Sequence, residues 1–243
     1  MVADASPTVD IIARTESYDG IRAGIARLED VLNSPSYQAN PEGPGITTQV
    51  EDVQVVDWPT RAQMVLVLGL YHPEKNPRLD WWEQGDTRGN TRLREISELL
   101  KQWLQAEYHI NAYPLPYDVE KGGLFLKDAA VLAGMGIIGL NNLFLHPEWG
   151  PRIRLRSILL EGDLPIREAL DGFAPCEACE KFCQKACPIS AFPQGKYHRP
   201  ICRVQMDTDV ENKVPDGEIG ESGNRNLVIK YCRACELSCP VGA

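Results

Sequence analysis

Apolar positions recur along this chain in two rhythms, and each rhythm predicts a different element. Between residues 19 and 33, Ile21, Ile25, Leu28 and Leu32 fall on one helical stripe, which predicts an amphipathic helix. Residues 91 to 106 repeat the pattern with Leu93, Ile96, Leu99, Leu100, Trp103 and Leu104, a second amphipathic helix. Met64 to Tyr71 is instead a short continuous apolar run, as in a strand buried on both faces. The segment from Asn33 to Gln49 is rich in Ser, Pro, Asn and Gly and reads as loop, as does the polar stretch after Tyr71. A short strand is expected near Tyr108 to Tyr113.

Phe125 to Ala133 is alanine-rich, and Gly134 follows it where a left-handed glycine would stop a helix. The loop GMGIIGLNN, residues 134 to 142, comes next. Leu143 to His146 and Arg152 to Leu160 read as two strands joined by the turn HPEWGP. Alternation in the second would put Arg152, Arg154 and Arg156 on one face, solvated unless they grip an anion. Helices and strands are mixed throughout, so the body is an α+β (mixed α/β) sheet domain.

Composition changes this picture at one end of the chain. The 243 residues carry a formal charge of −9, which argues against a nucleic-acid partner because phosphate binding needs a surplus of Lys and Arg. The N-terminus has no cationic and apolar leader pattern, and no apolar run is long enough to span a bilayer, so a cytoplasmic protein without a membrane partner is expected. All eight cysteines lie at or beyond residue 176. A C-terminal bunch in a reducing compartment points to metal rather than disulfides. The expected division is residues 1–170 as a cofactor-binding domain and residues 171–243 as a cysteine-rich one.

The first cysteine set is Cys176, Cys179, Cys183 and Cys187, followed by Pro188; the second is Cys202, Cys232, Cys235 and Cys239, followed by Pro240. CEACEKFC echoes CRACELSC, and CPISA echoes CPVGA. Closely spaced thiolates on one winding loop reach three corners of a 4Fe–4S cube. In two-cluster ferredoxins the fourth ligand is the Cys-Pro cysteine of the other half. By that logic Cys176, Cys179, Cys183 and Cys239 hold one cluster, and Cys187, Cys202, Cys232 and Cys235 hold the other. Two Cys₄ zinc sites are the alternative, although their usual well-separated Cys-x-x-Cys knuckles match this spacing poorly.

The stretch AAVLAGMGIIGLNNLFLHPEWGPRIRLRSILLEGDLP, residues 129 to 165, followed by the two cysteine sets, resembles the cobalamin-dependent epoxyqueuosine reductases and reductive dehalogenases. The overlap runs from about residue 125 to 243. The resemblance implies a flavin-reductase-like corrinoid-binding domain ahead of a ferredoxin-like module with two 4Fe–4S clusters. It implies cobalamin held without a protein ligand below the cobalt, and electrons passing from the nearer cluster. Gly134, Met135, Gly136, Gly139 and Asn141, with Arg152 and Arg154, are the candidate cofactor contacts. Glycines at such a loop let backbone N–H groups approach a bulky ligand.

The chain departs from the family pattern ahead of the loop. The reductases' Asp-x-x-Pro-x-x-Glu run is replaced by Glu120, Gly123 and Leu126 at its three positions. Glu120, Asp118 and Tyr117, with Tyr113 nearby, are the remaining candidate proton donors. Ile137 and Leu140 stand at the loop's usual Trp and Lys positions, and Asn90, Thr91 and Arg92 follow Arg88-Gly89 in place of the family's polar set. Of the histidines, His72 and His146 are candidates to line a pocket. The expectation is an oxidoreductase that draws on an external donor (ferredoxin, flavodoxin or flavoprotein) and reduces a small organic substrate by dehalogenation or deoxygenation. A dicluster electron carrier serving a partner's cofactor is the alternative.

Overall fold

The computed structural model describes residues 6–39, 56–166, 170–219 and 225–242. The part of the expected 33–49 loop beyond residue 39 lies outside the described residues, and a short helix, Pro35–Ala39, precedes it. The chain forms two compact units, each assembled from separated segments. The first comprises Met1–Tyr71, Leu93–Ile137 and Arg154–Phe173, and the second His72–Arg92, Ile138–Ile153 and Ala174–Ala243. Two segments expected in the N-terminal domain therefore cluster with the cysteines.

The first unit is built on a four-stranded sheet in the order Ile21–Arg27, Ala62–Tyr71, Ile153–Glu161, Ala112–Pro114. The first two strands are antiparallel, with Ile21 opposite Leu70 and Arg27 opposite Met64. The last two are also antiparallel, with Ala112 opposite Leu160. Met64, Val65, Leu66, Val67 and Leu68 are all fully buried, as a strand covered on both faces requires. The helix Arg88–Tyr108 adds Leu93, Ile96, Leu100 and Leu104 to the core, and Pro7–Glu16 adds Ile11 and Ile12. Each such side chain contributes about 1.5–3 kcal/mol on burial.

Four expectations change here. Residues 21–27 form a strand rather than a helix, and only Leu28–Leu32 is helical. Ile21 and Ile25 are four apart, which shares a face in both periods, and the buried Ala23 supplies the alternate position a strand needs. Residue 108 ends a helix, and the expected strand begins only at Ala112. Phe144–Leu145 lies in a separate two-stranded sheet, not beside Ile153–Glu161; the turn between them is closed by reciprocal His146 and Gly150 backbone bonds. Finally, Arg152, Arg154 and Arg156 are all buried, so neither face of that strand is solvated.

The second unit carries the short hairpin Trp82–Glu83 and Asp86–Thr87, the helix Arg199–Glu211, and the hairpin Val214–Ile219 with Arg225–Val228. It also holds two helical turns, Phe182–Lys185 and Ala234–Leu237. Among the described residues, no helix is long and apolar enough to cross a membrane.

Candidate functional site

The two helical turns position the cysteines. Cys183 is the second residue of one and Cys235 the second of the other; each turn is followed by a single residue and then Cys-Pro. Their backbone bonds correspond one for one. Gln184 and Lys185 N–H donate to the Lys181 carbonyl, as Glu236 and Leu237 donate to that of Arg233. Cys187 N–H donates to the Gln184 carbonyl, as Cys239 donates to that of Glu236. The structural repeat is thus Cys-x-x-x-Cys-Pro, pairing Cys183 with Cys235 and Cys187 with Cys239. This register differs from the CEACEKFC and CRACELSC alignment that the sequence invites.

The thiols sort across the repeat. Cys183 is pushed up by burial, and the neighbouring thiols that add to this are Cys239, Cys179 and Cys176. Burial also raises Cys232, whose thiol neighbours are Cys187 and Cys202. Cys235 is pushed by burial to about 12, with Cys232 and Cys202 foremost among its neighbours and Cys183 beyond them. Cys239 is thus a neighbour of Cys183, and Cys187 a neighbour of Cys232. Cys239 is buried and Cys232 exposed, and no disulfide joins any of the eight.

Spacing separates the two metal chemistries. Tetrahedral zinc with Zn–S near 2.3 Å needs sulfurs about 3.8 Å apart. Among the described residues, only His72, Asp80 and Glu236 bring three such ligand atoms within 4.8 Å of one another; no trio of thiols does. The wider sets suit a four-iron cube. Backbone donors also face the sulfurs: Ala191 N–H donates to Cys187 Sγ at 3.2 Å.

The His72, Asp80 and Glu236 group already holds a cation. The Arg233 guanidinium bonds Glu236 through Nε and Nη2, lies 3.5 Å from Asp80, and contacts His72 Nδ1 and carbonyl at 3.1 and 3.2 Å. Burial raises the Glu236 carboxyl and Arg233 opposes that rise. The sequence shows these four residues but not their meeting; the Arg233 and Glu236 spacing of three within a helical turn was the available signal. Upstream, Trp82 exchanges both backbone bonds with Ile229 and meets the Tyr231 ring, which fixes the approach to Cys232.

The candidate corrinoid contacts are mostly committed elsewhere. Gly134 has φ +71° and ends the helix Leu126–Leu132; its N–H donates to the Val131 carbonyl and that of Met135 to Ala130, a Schellman closure. Met135 and Gly136 are buried. A Cβ at Gly139 would meet Leu145 at 2.6 Å and Asn141 at 3.0 Å, so this glycine permits packing. Asn141 is buried, donates to the Cys235 carbonyl and accepts from Leu143 N–H. Arg152 donates to the carbonyls of Leu237, Cys239 and Val241, and Arg154 is buried in its strand. These side chains do not fit a polar grip on a corrinoid. Ile138 and Leu140, at 39% and 40% exposure, are the open positions of the loop.

The candidate proton donors gather on one loop but stay at the surface. Asp118 pairs with Lys121 at 2.8 Å, Glu120 is exposed within a single 3₁₀ turn, and Tyr117 is exposed. Tyr113 donates to Glu161 at 2.8 Å. His146 is buried, accepting from Glu148 N–H beside the Trp149 ring. A buried carboxylate was missed: Asp128 accepts from the Ser36 hydroxyl at 2.6 Å, near Tyr37, whose hydroxyl burial pushes up to about 12. An aspartate inside the alanine-rich helix was its only signal.

No family model matches the chain. Tetrachloroethene reductive dehalogenase of Sulfurospirillum multivorans is 30% identical over 122 residues, which cover 46% of this chain and 22% of that protein. Epoxyqueuosine reductase of Listeria monocytogenes is 26% identical over 193 residues, 73% of this chain and 48% of that protein. The chain thus spans about half the length of this reductase and less of the dehalogenase. The solved epoxyqueuosine reductase of Streptococcus thermophilus superposes with a TM-score of 0.64 at 18% identity, covering 96% of this chain and 65% of that one. A second, bound to an epoxyqueuosine-modified tRNA stem loop, gives 0.61 at 20% identity, covering 96% and 64%. A solved reductive dehalogenase, described with a mechanism for B12-dependent dehalogenation, gives 0.59 at 15% identity, covering all of this chain and 33% of that one. Sequence relatives and fold neighbours thus support the resemblance seen in residues 129 to 165: this chain is similar to the epoxyqueuosine reductases and reductive dehalogenases.

Proposed function

We propose that this chain is an iron–sulfur reductase in which two four-iron clusters pass electrons to a bound corrinoid. One cluster is held by Cys176, Cys179, Cys183 and Cys239, and the other by Cys187, Cys202, Cys232 and Cys235. The observation that supports this is that, among the described residues, no three of the thiols come within 4.8 Å of one another as zinc would need, while Cys183 has Cys176, Cys179 and Cys239 as neighbours and Cys232 has Cys187 and Cys202. The helical turns hold Cys183 and Cys235 rigidly, the Cys-Pro corners cross between sets, and backbone N–H groups such as Ala191 stabilise thiolate charge. The exposed Cys232 makes the second set the receiving end for an external electron donor, and the buried Cys239 makes the first the delivering end.

A corrinoid, once bound, would supply the two-electron chemistry of halide or oxygen removal. Its place in this reading rests on the relatives and on the described B12-dependent neighbour, with the exposed apolar side chains of Ile138 and Leu140 as the contacts left open. The substrate is a small organic molecule or, given the tRNA-bound neighbour, a modified nucleoside; the negative net charge does not exclude the latter, since a local basic strip suffices. The carrier alternative retains one specific support: Asn141 and Arg152 are spent on the cysteine loops rather than on a ligand.

Anaerobic reconstitution followed by iron, sulfide and zinc analysis tests the clusters. Two clusters' worth of iron and sulfide per chain is expected, and stoichiometric zinc with no iron overturns the reading. Adding hydroxocobalamin to the reconstituted protein and removing the excess tests the rest. Corrinoid retained near one per chain is expected, and none retained reassigns the chain as an electron carrier.

A further inference from the structure

We propose that Arg152 is the positioning residue of the delivering cluster: it holds Cys239 among the first-set thiols and biases that set toward the reduced state. The inference rests on the cluster reading above. Arg152 is buried, at 5% exposure, and starts from a backbone fixed at both ends. Its N–H donates to Trp149, and its carbonyl accepts from His72 N–H at 3.1 Å. From there the guanidinium fork reaches three carbonyls that bracket Cys239, those of Leu237 at 3.2 Å, Cys239 at 3.5 Å and Val241 at 3.1 Å. Lysine cannot reproduce a planar fork across three acceptors.

The same corner is closed by backbone contact. A Cβ at Gly150 would lie 1.9 Å from the Val241 carbonyl oxygen, and one at Gly242 would lie 2.2 Å from the Trp149 carbonyl carbon. The turn 149–152 therefore clamps the residues that follow Cys239-Pro240.

The charge has a direction of effect. A four-iron cluster that accepts one electron gains one negative charge, so a buried cation beside its ligand favours the reduced form. The other charged groups around this segment are Arg233, Glu236, Asp80 and His72; Arg152 and Arg233 together balance the two carboxylates, so Arg152→Met leaves the segment with one negative charge in excess.

The test uses Arg152→Met and Arg152→Lys, reconstituted anaerobically and titrated with dithionite under EPR. In Arg152→Met, the signal that Cys183→Ser abolishes should become about tenfold harder to reduce, about 59 mV for a one-electron couple, while the other signal stays in place. Arg152→Lys should restore the potential, which a purely structural role would not. A second measurement needs no cluster: in metal-free, reduced protein, Cys239 should alkylate with iodoacetamide about tenfold faster in Arg152→Lys, which keeps the charge but loses the fork, the other seven thiols unchanged. Unaltered potentials together with an unaltered Cys239 rate overturn the proposal, as do equal shifts in both signals. If the parent protein takes up no iron, the cluster reading fails alone, and the Cys239 rate still decides the positioning role. Should Arg152→Met not fold, Arg152→Lys carries the thiol measurement.

Discussion

The helical turns Phe182–Lys185 and Ala234–Leu237 repeat the same backbone bonds around the same Cys-x-x-x-Cys-Pro frame, yet they are anchored by opposite means. In the first, Lys181 is exposed, and the Gln184 amide bonds the Gly195 carbonyl at 2.9 Å. In the second, the matching positions are the half-buried Arg233 and the buried Glu236, a pair tied to Asp80 and His72. Backbone geometry sets the Cys-x-x-x-Cys-Pro frame, so it repeats. Side chains answer to what surrounds each turn, so they diverge. One turn is a loop held by neutral hydrogen bonds, the other a charged plug.

Cysteine substitutions test the crossing and should have the largest effects. Cys183→Ser and Cys239→Ser should abolish the same EPR signal and about half of the iron; Cys187→Ser and Cys235→Ser should abolish the other. Loss of one signal by both Cys183→Ser and Cys187→Ser would replace the crossing with side-by-side clusters. Arg233→Met comes next, because it leaves the buried Glu236 and the half-buried Asp80 without the cation that pairs them. A cost of about 3–5 kcal/mol is expected in urea unfolding, whereas Lys181→Met at the matching site should stay within about 0.5 kcal/mol. Gly150→Ala should cost about 2 kcal/mol or more, since its φ of +56° and the Val241 carbonyl both exclude a side chain, and Cys239 alkylation should report the displaced corner. The smallest change is Gln184→Leu, about 1 kcal/mol for one lost hydrogen bond at a partly exposed site. A larger loss there than at Arg233 would reverse the contrast between the two anchors.

Much of the first unit was legible because its signals were redundant. The helix Leu126–Leu132 combined alanine propensity with a terminating glycine, and the strand Ala62–Tyr71 was apolar at nearly every position. Residues 21–27 failed because an apolar spacing of four satisfies both periods; pairing with the neighbouring strand decided between them. The three arginines failed for a related reason. Alternation located them on one face correctly, but only packing shows that this face is buried and that Arg152 turns to the carbonyls around Cys239. The surface position of Asp118, Glu120 and Tyr117 and the burial of Asp128 are likewise properties of packing that residue type alone does not carry.

The sequence by itself determined the donor set of the C-terminal segment, because eight cysteines in two sets with paired Cys-Pro corners restrict what can be bound whatever surrounds them. It also determined the mixed helix and strand character of the body. The tertiary structure decided how the repeat is registered, and that His72, Asp80, Arg233 and Glu236 form one largely buried charge network from segments far apart in the chain. Ligand identity is a local property of residue type and spacing, whereas partnership and burial depend on contacts between distant segments, which only folding brings together.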